Sequence, residues 1–393
     1  MVDINWPLEE IASDQFQIAG GWGGGTFVGS VGVTLNNLSI KNFFKKGAWR
    51  PYPMGQNQRL SISAQTNGTY YKAFAISFTD PWMGGRKPNS FTISAHYSDE
   101  NNAYYAWQKG TRYFRTAGVA AGLGKRLDWP DPYFTFYAEA SYERYMLKDW
   151  NTFVLKNGAA NLLSIRLVLG RNSVDQPIYP RRGSDFSVSV QLTPPYSLWD
   201  GKDYKSTALS EQERYNWIEF HKWMLKGQWF TPLTRNGNLV LMARAEMGYL
   251  GHYNKNKVSP FERFEVGGDG MTGYNMYGID IISMRGYDDG ALDPVGSNYS
   301  CAYNKYTMEL RYPLLLKGQT NIYVLGFLEG GNGFTSWKEF SPFKIKRSAG
   351  IGVRLFLPVV GMVGVDWGWG FDPAAGQTKR SGSHIHFTMG MQF

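Results

Sequence analysis

Apolar and polar residues alternate one by one along most of this chain, and that period of two constrains the fold more than any other feature. Leu60, Ile62 and Ala64 stand against Ser61, Ser63 and Gln65; after Asn67-Gly68, Phe74, Ile76 and Phe78 stand against Ala73, Ala75 and Ser77. Successive side chains of a strand point to opposite faces, so each such segment is a strand with one apolar face, and Asn-Gly between two of them signals a hairpin. The habit recurs at 91–97, 134–140, 165–169, 186–192, 239–245, 306–312, 349–355, 363–371 and 385–393. No apolar run approaches the ~18 residues that a membrane helix requires. The longest, 357–365, is broken by Pro358 and Gly361. A helical membrane protein is excluded, and the fold class is all-β.

Aromatic residues make up 16% of the chain, with 14 Trp, 25 Tyr and 24 Phe, and there are 46 Gly. Membrane barrels have this composition, because aromatic girdles mark both interfaces and only every second residue meets lipid. A mean hydropathy of −0.37 is compatible with that, since the other face of each strand is polar. The expectation is a transmembrane antiparallel β-barrel in which Met308 and Leu310 face lipid and Thr307, Glu309 and Arg311 face the lumen. A chain of 393 residues would ordinarily divide into two or three domains, whereas a large barrel takes it as one. Residues 16–393 are assigned to the barrel and the polar residues 1–15 to the stub of a linker. The first ten residues have neither a basic n-region nor an apolar h-region, so upstream sequence is expected.

The charge of +9 is scattered in ones and twos without a basic helix or an RNA-binding aromatic motif, which argues against nucleic acid. The expected counter-charge is an outer-membrane lipid headgroup or lipopolysaccharide. Cys301 is the single cysteine and can form no internal disulfide. The histidines, His96, His221, His252, His384 and His386, accompany no convincing nucleophile, so an enzyme is not expected. His384-x-His386 reads as wall polarity rather than a metal site, and no cofactor is expected.

Along the chain, Gly20-Gly21-Trp22-Gly23-Gly24-Gly25 leads into Phe27, Val31, Val33 and Leu35, and reads as one first strand whose glycine half is weakly paired. Residues 37–58, with Lys45, Lys46 and Arg50, read as a loop. Residues 206–225 read as a short helix within a long loop, with strand resuming near Trp229. The stretch 283–290 gathers Arg285, Tyr287, Asp288 and Asp289 between glycines. It is either an ordinary Asp-Asp-Gly turn or a hairpin folded into the barrel with Arg285 gripping the wall. Asp288, Asp289 and Asp293 lack the terminal glutamate of a calcium loop and read as a solvated turn.

Several motifs together resemble the barrel of BamA-type outer-membrane assembly factors of the Bacteroidota sort. Met284-Arg285-Gly286-Tyr287 is similar to that family's Val-Arg-Gly-Phe/Tyr loop tip, with methionine in place of valine. Met308-Glu309-Leu310-Arg311-Tyr312-Pro313 resembles its Leu-Glu-Phe/Tyr-Pro strand, and Phe327-Leu328-Glu329-Gly330-Gly331 its Phe-x-Asp-x-Gly segment, with glutamate one methylene longer than the usual aspartate. Ser348-Ala349-Gly350-Ile351-Gly352 and the aromatic terminus also match. The resemblance implies about sixteen strands and an inward-folded extracellular loop locked through Arg285, Gly286 and Tyr287 by Glu309 and Glu329. It also implies a lateral gate between the first strand, with Gly20, Gly21, Gly23, Gly24 and Gly25, and the last, with Ile385, Phe387, Met389, Met391 and Phe393. By the same resemblance the partners are unfolded outer-membrane protein clients and accessory assembly lipoproteins, with periplasmic POTRA domains upstream. The same architecture also serves two-partner secretion and sister translocation channels, and passive porins. The glycine-heavy first strand and the last segments favour the assembly factor.

Overall fold

The computed structural model describes residues 14–23, 26–49, 52–85, 87–103, 110–270, 278–296, 299–317, 320–357 and 361–389. Its strands are β1 (Gln15–Gly23), β2 (Thr26–Leu38), β3 (Gln58–Thr66), β4 (Tyr71–Asp80), β5 (Asn89–Asn101), β6 (Tyr113–Arg126), β7 (Phe134–Lys148), β8 (Gly158–Asn172) and β9 (Gly183–Leu192). They continue as β10 (His221–Pro232), β11 (Val240–Gly251), β12 (Arg263–Val266), β13 (Ile279–Ile282), β14 (Ala302–Lys317), β15 (Thr320–Phe334), β16 (Lys346–Leu357), β17 (Gly361–Pro373) and β18 (Arg380–Met389). Sixteen of them form one sheet in chain order, each antiparallel to the next, while β12 and β13 make a small parallel pair inside the connection from β11 to β14. The transmembrane antiparallel barrel expected from the alternation is the architecture observed. The two edges, β1 and β18, come within 8 Å Cα to Cα, yet no hydrogen-bonded ladder joins them among the described residues.

Alternation sets inside from outside. On β14, Met308 and Leu310 are about half exposed, whereas Thr307, Glu309 and Arg311 are buried. On β17, Val365, Trp367, Trp369 and Phe371 point outward while Asp366 is completely buried. The apolar set faces lipid, and the polar set faces a lumen in which charges find partners. None of the described helices is long and apolar enough to cross a membrane.

Two local expectations are corrected. The glycine-rich segment is two strands, not one: Gly20 pairs with Gly29, Gly21 with Val28, Trp22 with Phe27 and Gly23 with Thr26. A single strand across both would have run well past the ~9–11 residues that span a bilayer. Alternation on both sides of a reversal looks continuous in sequence, and the chain reverses between Gly23 and Thr26. The short helix expected within 206–225 is α1 (Glu211–Tyr215), but strand resumes earlier than Trp229. Ser210 caps it, its Oγ accepting from the Glu213 N–H at 3.3 Å while the Glu213 carboxylate accepts from the Ser210 N–H at 3.1 Å. β10 then begins at His221, because Trp223, Leu225 and Trp229 form its outward face.

Reversing the lipid face at one mid-strand site tests these assignments. Ile351→Arg, at a position 63% exposed on β16, is expected to destabilise the barrel by about 2–4 kcal/mol in urea unfolding from vesicles if it sits near the midplane. An unchanged midpoint would place Ile351 away from lipid.

Candidate functional site

The connection 252–301 turns back into the barrel rather than extending away from it. Its Phe261, Phe264, Val266, Met284, Tyr287 and Leu292 are buried in one apolar cluster with Phe114 of β6, Tyr145 of β7, Leu162 of β8 and Tyr303 of β14. Phe261 stacks on Tyr145 with ring centroids 4.3 Å apart. Burial of this many rings anchors the loop, since each is worth roughly 1.5–3 kcal/mol of transfer free energy. Bridges between Phe264 and Ser300 and between Gly268 and Met284 stiffen it.

That packing delivers Arg285 to the wall. Its Nη2 lies 2.7 Å from both Glu309 Oε1 on β14 and Glu329 Oε1 on β15, its Nε donates to Glu329 Oε1 at 3.1 Å, and its backbone N–H donates to Glu329 Oε2 at 2.9 Å. Asp366 on β17 adds a third carboxylate at 3.6 Å, and the guanidinium carbon sits 3.7 Å from the centre of the Phe327 ring. Burial by itself would push the guanidinium pKa down, and Glu329, Glu309 and Asp366 outweigh it and raise it. The carboxylates are themselves shared: Arg311 donates to Glu309 at 2.6 Å, and Arg354 grips Asp366 with two nitrogens at 2.8 and 2.7 Å. Charges alternate in sign through the cluster, which is what buried ions require.

Gly286 is the residue on which the approach depends. Its φ is +88°, and a Cβ there would come within 2.8 Å of Ser348 Cβ and 3.0 Å of the Gly370 nitrogen. Only glycine takes this backbone and lets the loop lie directly on β17. Its N–H donates to His386 Nε2 at 2.8 Å, and the buried Tyr287 donates its hydroxyl to the Arg347 carbonyl at 2.9 Å.

Over residues 54–393 the chain matches the Omp85 superfamily domain. It belongs to the Omp85 superfamily. The sequence is 23% identical over 332 residues to the outer membrane protein assembly factor BamA of Neisseria meningitidis serogroup B, covering 79% of this chain and 34% of that protein. The chain therefore spans about a third of the length of that curated relative. The fold matches BamA from Haemophilus ducreyi lacking POTRA domains 1-3 with a TM-score of 0.64 at 17% identity, covering 95% of this chain and 68% of that one. CdiB from Escherichia coli matches with a TM-score of 0.58 at 12% identity, covering 97% and 63%. The expected BamA-type family and location hold: this Omp85 barrel is an integral outer-membrane protein.

Of the residues singled out from sequence, the structure brings Arg285, Gly286, Tyr287, Glu309 and Glu329 together. Gly20, Gly21 and Gly23 lie in β1, and Ile385 and Phe387 point outward from β18, where Met389 is the last strand residue. Gly24, Gly25, Met391 and Phe393 lie outside the described residues. Asp366, Arg311, Arg354 and His386 were not singled out for the cluster, although each shares the lumen parity of its strand. His386, which in sequence reads as wall polarity, receives the Gly286 N–H. The loop meets β18 twice more: Asp288 Oδ1 is 3.2 Å from His384 Nδ1, and Asp269 Oδ2 accepts from the Phe387 N–H at 3.3 Å.

A second ion cluster holds the loop on the far wall. Buried Lys222 of β10 lies 3.0 Å from Glu262 and 2.7 Å from Asp280, both in the loop, and the Tyr145 hydroxyl reaches Glu262 at 3.1 Å. The solvated-turn reading suits Asp288 and fails for Asp293. Asp293 is buried and accepts from the Ser300 hydroxyl at 2.5 Å, and burial, with Glu265 nearby, pushes its carboxyl up to about 8. Spacing alone could not show that the loop packs over it.

Removing the guanidinium leaves several buried carboxylates short of a partner. Arg285→Ala is expected to cost on the order of 3–5 kcal/mol, and Arg285→Lys to recover only part of it, because an ammonium cannot fork between two carboxylates. Urea unfolding from vesicles reads both, and an Arg285→Ala barrel as stable as the parent would show that the cluster does not hold the loop.

Proposed function

We propose that this chain is the membrane barrel of an outer-membrane protein assembly factor, which folds and inserts client β-barrel proteins through a lateral opening between β1 and β18. The observation that carries the reading is the seam, where two edges lie side by side with no ladder among the described residues and one of them ends in glycines. In a bilayer an unpaired backbone N–H or C=O costs several kcal/mol, so such an edge is a template for any strand that can satisfy it. An incoming client strand adds to the edge by β-augmentation, and the client's own closure into a hydrogen-bonded barrel supplies the free energy. No nucleotide, metal or covalent step is called for.

In this reading the Arg285 loop is extracellular and acts as a lock: Glu309, Glu329 and Asp366 fix it on β14, β15 and β17, and Gly286 carries the hold to His386 on the seam strand. Unfolded outer-membrane proteins are the clients. Accessory lipoproteins and upstream periplasmic domains deliver them, and outer-membrane lipid surrounds the gate. A two-partner secretion transporter is the second reading, supported by the likeness of fold to CdiB. The curated relative matched over most of this chain is an assembly factor, which favours the first.

Filling the glycines separates the two. Gly21→Val and Gly23→Val, both in β1, are expected to tighten the seam, each by up to about 1 kcal/mol of strand propensity. Thermal unfolding should rise while insertion of a client barrel into liposomes falls. A tighter barrel that still inserts clients at the parental rate would exclude a gate at this seam.

A further inference from the structure

The barrel carries an ordered, apolar and basic rim at the end opposite the Arg285 loop. Strands alternate in direction, so the connections after β2, β4 and β6 leave the sheet at one end while the connection after β11 leaves it at the other. The β2–β3 connection is firmly built. The Ser39 N–H donates to the Pro53 carbonyl at 2.8 Å, the Ile40 N–H to Gln58 Oε1 at 2.9 Å, and the Trp49 indole N–H to the Phe43 carbonyl at 3.0 Å. Phe43 meets Phe44 and Trp49 edge to face, at 5.3 and 5.0 Å between centroids.

This platform holds its rings outward. Phe44 is 92% exposed and Trp49 54%, and Ile40 and Phe43 are exposed beside them. Lys41, Lys45 and Lys46 stand exposed among the rings. The next two connections repeat the composition, with exposed Trp82 and Met83 beside Lys87, and exposed Trp129 beside Lys125 and Arg126. The carboxylates at this rim are mostly engaged: Asp80 accepts from Gln58 and from the Trp82 N–H, each at 3.0 Å, Asp131 pairs with Arg171 at 2.8 Å, and the exposed Asp14 accepts from the Asn36 N–H at 3.0 Å and the Tyr52 hydroxyl at 2.6 Å, while Asp128 is exposed as well. Rings fixed in water gain nothing from being there, since burying apolar area is worth ~25 cal/mol per Å². The rim is also continuous with the exposed lipid-facing side chains Val31, Val33, Ile62, Phe74 and Ile76 of β2, β3 and β4.

From this we infer that the rim centred on residues 40–49 is an interfacial anchor for an anionic phospholipid leaflet, its rings seated at the boundary of headgroups and acyl chains and its lysines on the phosphates. Aromatic side chains with one polar edge favour that boundary, and lysines near an anionic surface add to the hold. The anchor lies beside β1 and β2 and would fix the membrane level next to the seam. It rests on the barrel being embedded in lipid, and not on what passes through the seam.

The test uses the full chain in nanodiscs of phosphatidylcholine alone or mixed with phosphatidylglycerol, with a spin label at Ala48→Cys, which leaves every ring in place; Cys301 is buried and escapes labelling. A control label at Val295→Cys reports an exposed position at the other end. The label at 48 should be shielded from an aqueous nickel chelate, reachable by oxygen, and deeper when phosphatidylglycerol is present. Native mass spectrometry should show retained phosphatidylglycerol, its enrichment falling about fivefold for each of Lys41→Gln, Lys45→Gln and Lys46→Gln. A label at 48 as open to the chelate as the one at 295 would overturn the anchor. Enrichment unmoved in the triple glutamine variant would overturn its preference for anionic lipid. Neither outcome depends on client insertion, so the anchor and the assembly function fail separately.

Discussion

A guanidinium withdrawn from water has to be matched by carboxylates withdrawn with it, and in this barrel that requirement joins a loop to its wall. Arg285 arrives from one side of the lumen, and Glu309, Glu329 and Asp366 arrive from three different strands, two of them already paired to Arg311 and Arg354. Arg285, Glu329 and Asp366 are matched by charges from other elements, while Glu309 is shared between Arg285 of the loop and Arg311 of its own strand. The desolvation cost of each is offset only when all are in place, so the cluster specifies one loop position rather than merely adding stability.

The consequence spreads along the loop. Because Gly286 can touch β17 backbone to backbone, the N–H that follows Arg285 reaches His386 on the last strand. On the opposite wall Lys222 meets Glu262 and Asp280, and Phe261 stacks on Tyr145. The loop is thus a strut pinned at both ends by buried charge and along its middle by rings. The seam between β1 and β18 has no comparable ladder among the described residues. Strong closure inside the lumen and weak closure at the edge coexist in one chain, and that contrast underlies the proposed gate.

The barrel was legible in sequence because alternation is a local property: one face of each strand sees lipid, and a period of two records it directly. The same parity places Glu309 and Arg311 on the lumen side, and it would have placed Asp366 and Arg354 there too. What stayed hidden depends on contacts between distant segments. The reversal between Gly23 and Thr26 is invisible because alternation resumes on both sides of it. The short helix within 206–225 was legible from its helix formers, but the start of β10 at His221 was not, because it rests on Trp223 and Leu225 facing outward. His386 reads as lumen polarity until the Gly286 N–H is found against it, and Asp293 reads as a turn until the loop closes over it.

The account turns on whether the seam must part for a client to enter the membrane. Cysteines introduced in pairs along β1 and β18, in a Cys301→Ser background, allow a disulfide to be closed across the seam of an otherwise intact barrel and opened again with a reductant. Client insertion into liposomes should stop in the oxidised barrel and return on reduction, with the barrel folded throughout. Insertion at the same rate with the seam covalently shut would contradict the account.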